Sequence, residues 1–265
     1  MWQSNLRIVG PRSRGLCSCV ADAAAFKLAA LGPAARHSHL KPMRLFRKKT
    51  KPEDMFVTLG RARDSWGITP DFVIDVGAAE GKWASRCADI WPNASFTLIE
   101  PLAEHDTLLK GLSLRHNWRY ECFVAGEGPG FVDFTITDDL DGSGVYGNAG
   151  AATRRIEVRS LDSVMPATGR GVLKLDTHGY EVPILNGASS LLERIDLAVI
   201  EVYGHRISAP CLLFHEICAL MDDKGFRVAA IVNPMKRPCD GVFWQADFFF
   251  LRKNHPVFQN NTYQS

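Results

Sequence analysis

Residues 75–81 form a motif whose residue types suit the binding of a polar ligand. Its sequence, Asp-Val-Gly-Ala-Ala-Glu-Gly, contains the carboxylate of Asp75 and two glycines. Gly77 and Gly81 permit a tight turn and let a ligand approach the backbone closely, and a helix after the turn would present free N–H groups. The carboxylate suits an ammonium or hydroxyl group and repels a pyrophosphate. The motif predicts a binding turn, and the alternative is a purely structural turn between a strand and a helix.

Glu100 and Pro101 end the next apolar segment and supply a second carboxylate. Glu100 lies 23 residues after Gly77, close to the interval of about 20 residues between the glycine turn and the ribose-binding acid of nucleotide-binding folds. An acid here can accept hydrogen bonds from both ribose hydroxyls, and the alternative is an exposed carboxylate at a strand end. A dinucleotide-binding fingerprint would be G-x-G-x-x-G, but Ala79 replaces its middle glycine. The two motifs together favour S-adenosylmethionine over NAD.

Lys174, Asp176 and His178 stand at alternate positions near the end of a later apolar segment. A lysine inside a buried strand is costly unless its ammonium is paired. Asp176 ends that strand, where a catalytic or ligand-binding group is expected. His178 follows in the turn and could act as a general base near neutral pH. It could equally be a turn histidine whose ring is hydrogen-bonded.

Glu201 ends the following apolar segment, and His205 stands just beyond it. The carboxylates of Glu201 and Asp176 on neighbouring strands could bind a divalent cation or position a hydroxyl group. They could equally pair with Lys174. We assign no metal. As general base the candidates are, in order, His178, Asp176 and His205.

Alternating strands and helices must position these residues. Short apolar segments with β-branched residues predict buried strands, and the intervening segments predict helices. Strands are predicted at 72–76, 95–100, 120–125, 171–176 and 197–202, with closing strands at 226–232 and 246–251; helices are predicted at 82–91, 102–112, 181–193 and 211–224. After the third strand, the alternating segment 131–137, the glycine-rich loop 141–150 and the extended segment 154–160 predict a small β insertion.

This order of elements predicts an α/β fold in which helices cover both faces of a mostly parallel sheet. In such a sheet a ligand binds beyond the carboxyl ends of the strands, at the point where the strand order reverses. Every motif described above follows a predicted strand at that edge.

Positive charge is concentrated in the first part of the chain. Residues 1–50 contain ten Lys and Arg but one acid, a net charge of +9, so the rest of the chain carries −7. We expect 1–50 to be a basic segment that is disordered or acts in targeting, 51–255 to be the catalytic domain, and 256–265 to be a C-terminal tail. The Ala- and Arg-rich residues 1–42 are typical of a transit peptide, and the alternative is that Met43 is the true first residue.

Composition argues against several classes of protein. The acidic body disfavours a nucleic-acid-binding domain, and no apolar run reaches the about 18 residues that a membrane span needs. Seven scattered cysteines without C-x-x-C spacing indicate reduced thiols instead of a disulfide frame or a zinc site. We therefore expect a cytoplasmic protein, or an organellar one if residues 1–42 are a transit peptide.

The motifs together resemble those of the FkbM family of methyltransferases. The residues that carry the resemblance are 75–81, 98–101, 159–163, 173–181, 184–187 and 200–202, within a span of about 55–252. The resemblance implies a Rossmann-like class I methyltransferase fold and S-adenosylmethionine as donor. It further implies O-methylation of a hydroxyl group on a sugar or another small metabolite. Many members carry an acid where His178 stands.

The resemblance also implies roles for individual residues. The glycine turn would hold the methionine end of the donor, Glu100 the ribose, and the region of Ala125 and Gly126 the adenine. The implied donor-binding set is Asp75, Gly77, Ala78, Glu80, Gly81, Glu100, Pro101, Ala125 and Gly126. The implied catalytic set, which faces the acceptor, is Asp176, His178 and Glu201.

Other functions remain open at this point. One is a NAD-dependent oxidoreductase on a Rossmann fold, and another is a catalytically silent protein that binds S-adenosylmethionine. A third is recruitment to a membrane surface or a nucleic acid through the basic segment, although the partner that we expect is a small-molecule or glycan acceptor. The sequence predicts neither the identity of the acceptor nor the oligomeric state.

Overall fold

The computed structural model describes residues 54–140, 142–146 and 152–263. The basic segment 1–50 lies outside these residues, as does part of the predicted loop 141–150. The strands are β1 (Phe72–Val76), β2 (Ser95–Ile99), β3 (Arg119–Glu121), β4 (Val124–Ala125), β5 (Gly130–Thr135), β6 (Thr153–Arg159), β7 (Gly171–Leu175), β8 (Ile195–Tyr203), β9 (Phe226–Lys236) and β10 (Phe243–Arg252). The α-helices are α1 (Met55–Asp64), α2 (Lys82–Ile90), α3 (Asp106–His116), α4 (Glu181–Asn186), α5 (Ser189–Leu192) and α6 (Phe214–Asp223).

Seven strands form one sheet in the order β3-β2-β1-β7-β8-β10-β9. The first five pair in parallel, whereas β10 is antiparallel to both β8 and β9. The predicted class I methyltransferase fold is thereby confirmed, and the two closing strands, β9 and β10, pair with each other in antiparallel orientation. The order reverses between β1 and β7, so the carboxyl ends of these two strands border the crevice in which ligands bind.

Side chains alternate between two hydrophobic layers along the central strands, because successive residues of a strand face opposite sides of the sheet. Val73 packs in the layer of α1 and α2, whereas its neighbour Ile74 packs in the layer of α4 and α6. By the same alternation, Asp75 and Lys174 lie on the face that α1 and α2 cover. Helices therefore cover both faces of the sheet, as the sequence predicts.

The helix α1 was not predicted, and it supports this same face. The side chain of Asp54 accepts a hydrogen bond from the N–H of Phe56 at 2.8 Å, which caps the helix. Met55 and Leu59 are buried against the layer that contains α2. The indole N–H of Trp83 on α2 lies 2.9 Å from the sulfur of Met55. This contact fixes the ring of Trp83 beside the central strands.

The prediction of one strand at 120–125 is wrong. β3 pairs with β2 in the large sheet, whereas β4 pairs with β6 in a second sheet of order β4-β6-β5. Phe123, fully buried, lies between the two strands. The chain therefore passes from one sheet to the other at this buried residue. The insertion itself, with β5 antiparallel to β6, is as predicted.

Three predicted helices differ from the observed ones. The helix predicted at 181–193 is interrupted at Gly187, where a side chain would lie 1.9 Å from the carbonyl oxygen of Gly126. The carboxylate of Asp162 then accepts hydrogen bonds from two N–H groups of α5, which starts a new helix. The helix predicted at 102–112 lies four residues further along the chain, as α3 from Asp106 to His116. α6 begins at Phe214, three residues later than predicted.

None of the helices in the described part of the chain is long and apolar enough to cross a lipid bilayer.

Candidate functional site

A cavity of about 280 Å³ opens at the carboxyl ends of β1, β2, β7 and β8. Its walls come from the glycine turn after β1, the Glu100 turn after β2, the turn after β7 and the small β insertion. The volume is near the lower end of the range of small-molecule sites. Its position is the one that the topology of the sheet predicts.

Glu100 forms the wall of the cavity at the end of β2 and is buried. Its two carboxylate oxygens accept hydrogen bonds from the N–H groups of Ala79 at 2.9 Å and Leu102 at 3.0 Å. Burial raises the pKa of Glu100, and these two backbone donors oppose the rise. Each oxygen retains a free lone pair. The carboxylate therefore links the two turns and can still accept hydrogen bonds from a ligand.

Gly77 allows the glycine turn to approach the end of β7 closely. It has φ +75°, and a side chain there would lie 2.0 Å from the carbonyl oxygen of Asp176. The N–H of Gly77 donates to Ile99 at 3.0 Å, and the N–H of Asp176 donates to Val76 at 3.1 Å. The turn is thus held on both sides, and a glycine is required in it.

Lys174 is buried between two carboxylates. Its Nζ lies 3.3 Å from Oδ1 of Asp75 and 3.1 Å from Oδ2 of Asp176. Burial opposes the charge on the lysine, but Asp176 and Asp75 outweigh it and raise its pKa. Burial also opposes the charge on Asp176, yet Lys174 holds the pKa of Asp176 below its usual range. The predicted partner for the buried ammonium is therefore present.

Glu201 lines the cavity beside Asp176 and is itself buried. It accepts hydrogen bonds from the hydroxyl of Tyr203 and the amide of Gln245. Burial, together with the negative charges of Asp176 and Asp247, raises the pKa of Glu201 to about 8. The pKa values of these two neighbouring carboxyl groups are thus shifted in opposite directions, and Glu201 retains its proton to a much higher pH than Asp176.

Glu201→Gln should reduce the loss of stability that we expect on raising the pH from 5 to 8.5. The folded protein binds the proton of Glu201 more tightly than the unfolded chain, so this contribution to the free energy of unfolding is complete below about pH 4.5 and is lost as the pH rises through about 8. Each tenfold difference in proton affinity is worth about 1.4 kcal/mol. Urea unfolding at the two pH values measures the change, and equal slopes in the variant and the wild type would contradict the prediction.

His178 extends from the turn after β7 with its ring at the cavity. Its Nδ1 lies 3.2 Å from the carbonyl oxygen of Ser143, and its Nε2 lies 3.8 Å from Oδ1 of Asp176. A carbonyl oxygen only accepts hydrogen bonds, so the neutral ring carries its proton on Nδ1. Nε2 is then the ring nitrogen that can accept a proton, as a general base requires.

Asp176, His178 and Glu201 offer one ligand atom each within 4.8 Å of one another. These three residues could hold a metal ion. However, Lys174 already contacts Asp176, and Tyr203 and Gln245 already donate to Glu201. We therefore continue to assign no metal.

The cavity brings together a part of the predicted site. Its lining includes Gly77, Glu100, Pro101, Ala125, Asp176, His178 and Glu201. The remaining predicted residues do not line it: Asp75, Ala78, Glu80, Gly81, Gly126 and His205.

Three of these residues have other contacts. Asp75 is fully buried and faces Lys174, so its carboxylate is directed at the ammonium instead of a ligand. Glu80 is exposed and pairs with Lys82. His205 stacks on Trp244, with 5.6 Å between the ring centroids.

His105, Phe134 and Tyr180 also line the cavity, although none of them was among the predicted site residues. His105 follows the Glu100 turn, and Phe134 belongs to β5 of the insertion. Tyr180 makes an edge-on contact with Tyr146, at 5.3 Å between centroids. The rule that ligands bind beyond strand ends could have found His105 and Tyr180, whereas Phe134 reaches the cavity only through the packing of the insertion.

A family model described as the methyltransferase FkbM domain matches residues 75–228, from the glycine turn into β9. The chain belongs to the FkbM methyltransferase family. The matched residues include both turns at the cavity, the insertion and the Lys174–Asp176–His178 segment. FkbM membership confirms the family that the motifs of the sequence resemble.

Three solved structures of methyltransferases resemble this FkbM protein at low identity. Methyltransferase FkbM from Methylobacillus flagellatus KT has 16% identity and a TM-score of 0.45, over 72% of this chain and 47% of that one. A putative RNA methyltransferase from Pyrococcus horikoshii has 13% identity and a TM-score of 0.43, over 74% and 83%. Magnesium protoporphyrin IX methyltransferase from Synechocystis PCC 6803, with bound SAM, has 9% identity and a TM-score of 0.43, over 74% and 75%.

The chain thus spans about half the length of the Methylobacillus protein. A comparison with curated proteins finds no match.

Proposed function

We propose that this protein is an S-adenosylmethionine-dependent O-methyltransferase whose acceptor is a hydroxyl group on a sugar or another small metabolite. The observation that carries the proposal is the set of acids around one cavity. Glu100 lies on one wall, and Asp176 and Glu201 lie on another. Family membership supplies the class of reaction, and this site supports its finer description.

The residues of the cavity fit the donor. Carboxylates accept hydrogen bonds from ribose hydroxyls and attract a sulfonium cation, whereas they repel a pyrophosphate. Glu100 would hold the ribose, because its oxygens face the cavity with free lone pairs. The turn at Gly77 would border the methionine end, and Pro101 and Ala125 would border the nucleoside. The same chemistry disfavours NAD.

The residues of the chain would contribute alignment and removal of a proton. The bound donor supplies a methyl group already activated by its sulfonium charge. Methyl transfer therefore depends mainly on positioning, which the rigid strand ends provide. His178 would accept the proton of the acceptor hydroxyl at Nε2, while the carbonyl of Ser143 holds its ring. Asp176 would stabilise the resulting imidazolium at 3.8 Å.

Titration with S-adenosylmethionine, S-adenosylhomocysteine and NADH tests the donor. Isothermal calorimetry should show saturable binding of the first two and none of NADH. Binding of NADH alone would support the rival oxidoreductase, and absence of all three would defeat the proposal.

A screen for the acceptor would follow release of S-adenosylhomocysteine from glycosides, hydroxylated metabolites and RNA. Transfer to a hydroxyl of a small molecule is the expected result. Transfer to RNA, or to nitrogen or carbon, would contradict the proposed acceptor while leaving the donor in place. If donor binding occurs but no acceptor of any class is methylated, the catalytically silent alternative is favoured.

His178→Ala should lower turnover by about 10²–10⁴-fold, the usual contribution of a general base. The affinity for S-adenosylhomocysteine should stay within a few-fold of the wild type, because the proposed contacts to the donor are made at the wall that contains Glu100. His116→Ala is the control, since that histidine stacks on Trp118 away from the cavity. Unchanged turnover in the His178 variant would remove it as the base and leave Asp176 as the candidate.

A further inference from the structure

Lys174 is a buried charged residue, and the proposed function assigns it no role in binding the donor or in removing a proton. Its side chain is 7% exposed, and it stands opposite Asp75 in the register of β1 and β7. The face of the Trp83 ring covers its ammonium, with 5.6 Å from Nζ to the ring centroid. Neither Lys174 nor Asp75 lines the cavity. A ligand in the cavity would therefore meet this pair only through its effect on Asp176.

Stability alone does not explain such a pair. Replacing buried ion pairs by apolar residues of similar volume is often neutral or stabilising. The centre of a parallel sheet is also where apolar residues pack best. The pair therefore has its consequence at the atom that it contacts beside the cavity, which is Oδ2 of Asp176 at 3.1 Å.

Three other acidic groups lie near Asp176. Asp75 lies on β1, Glu201 on β8 and Asp247 on β10, opposite Glu201 in the register. Like charges at such a site favour protonation, and the nearby His178 is neutral when it acts as a base. Among the described residues, Lys174 is the cation that the structure brings into contact with Asp176.

We propose that Lys174 is a positioning residue, which keeps Asp176 ionised with Oδ1 directed to His178 and leaves the proton of this acidic group on Glu201. The inference rests on the proposed function, because it takes Asp176 as the partner of the base. The alternation of a strand makes it possible, since residues 174 and 176 face the same side of the sheet. Without the ammonium, Asp176 and Glu201 would compete for one proton.

Carbon-13 NMR of labelled Asp and Glu carboxyl groups tests this proposal without any donor or acceptor. Asp176→Asn and Glu201→Gln assign the two signals. In the wild type, Asp176 should titrate below the usual range of an aspartate and Glu201 above that of a glutamate. In Lys174→Met, the titration of Asp176 should move up by about one to three pH units, the effect of losing an adjacent cation.

Lys110→Met is the matched control. That lysine pairs with Asp106 on the surface, so its loss should leave the titration of Asp176 unchanged. If Lys174→Met does not fold because Asp75 is left unpaired, Lys174→Met with Asp75→Asn removes the orphaned charge and should give the same upward shift. Asp176 titrating as in the wild type in a folded variant of either kind would overturn the proposal.

The outcome is independent of the donor experiment. Wild-type protein that fails to bind S-adenosylhomocysteine would defeat the proposed function, even if Lys174 controls Asp176. Conversely, the wild type could bind the donor normally while Asp176 titrates in the Lys174→Met variant as in the wild type. The proposed function would then be retained, and Lys174 would have only a structural role.

Discussion

Glu100→Ala should weaken the binding of S-adenosylhomocysteine by about 100-fold or more. A hydrogen bond to a charged group contributes about 1.5–3 kcal/mol, and two of them, one to each ribose hydroxyl, would contribute at least about 3 kcal/mol. Since about 1.4 kcal/mol corresponds to a tenfold change in Kd, the loss falls within reach of calorimetry. The measurement is a titration of variant and wild type under the same conditions.

The control for this variant lies four residues further along the chain. Glu104 is partly exposed and pairs with Arg154, so Glu104→Ala removes a nearby carboxylate outside the cavity. It should leave donor affinity unchanged and reduce stability by no more than about 1 kcal/mol. Circular dichroism and thermal denaturation establish that both variants are folded. If the Glu100→Ala protein is folded and binds the donor with wild-type affinity, the ribose is not bound by Glu100.

The central strands could be predicted because burial on both faces imposes a simple pattern. β1 and β7 are apolar runs interrupted only by Asp75 and Lys174, and their bounds agree with the prediction to within one residue. Helix ends were harder, because they depend on distant partners. The helix ends at Gly187, where a side chain would collide with Gly126, a residue far away in the sequence.

The site could be predicted in part for the same reason. Topology places the carboxyl ends of the parallel strands at one edge, so Glu100, Asp176 and Glu201 could be expected to meet. Which way a side chain faces depends on the residue across the sheet. Asp75 resembles a ligand-binding acid by its place in the motif, but Lys174 stands opposite it in the register. Its own motif does not contain that partner, and the pairing predicted for Lys174 named Asp176 and Glu201 but not Asp75.

The wall formed by the insertion depends on long-range packing. Phe134 belongs to a separate cluster with Val158 and Leu102, and the orientation of this cluster over the strand ends decides whether its ring reaches the cavity. The local sequence pattern predicts that one face of β5 is buried, but it does not indicate which part of the protein covers that face. Acceptor specificity is expected to reside in this part of the wall, since loops and insertions vary on a shared fold.

Gly77→Ala should both destabilise the protein and impair donor binding. The added methyl group would push the glycine turn away from the end of β7, and both of them line the cavity. A side chain at φ +75° costs about 1–2 kcal/mol, and the contact with the Asp176 carbonyl adds about 1–3 kcal/mol of overpacking. For a domain of this size the sum lowers Tm by roughly 5–15 °C. The flanking hydrogen bonds to Ile99 and Val76 resist a shift that would make room.

Gly111→Ala separates this effect from the general effect of adding a methyl group. Gly111 lies within α3, and nothing beyond the adjacent backbone of that helix lies within 4 Å of the position that a methyl group would take there. Alanine at this position should therefore stabilise the protein by about 0.5–1 kcal/mol through its helix propensity. Donor affinity should not change in this variant. If Gly77→Ala is instead as stable as the wild type and binds the donor normally, the close approach of the two strand ends is not needed for the site. The cavity would then owe its shape to the insertion, and the acids at the strand ends would no longer be sufficient to define it.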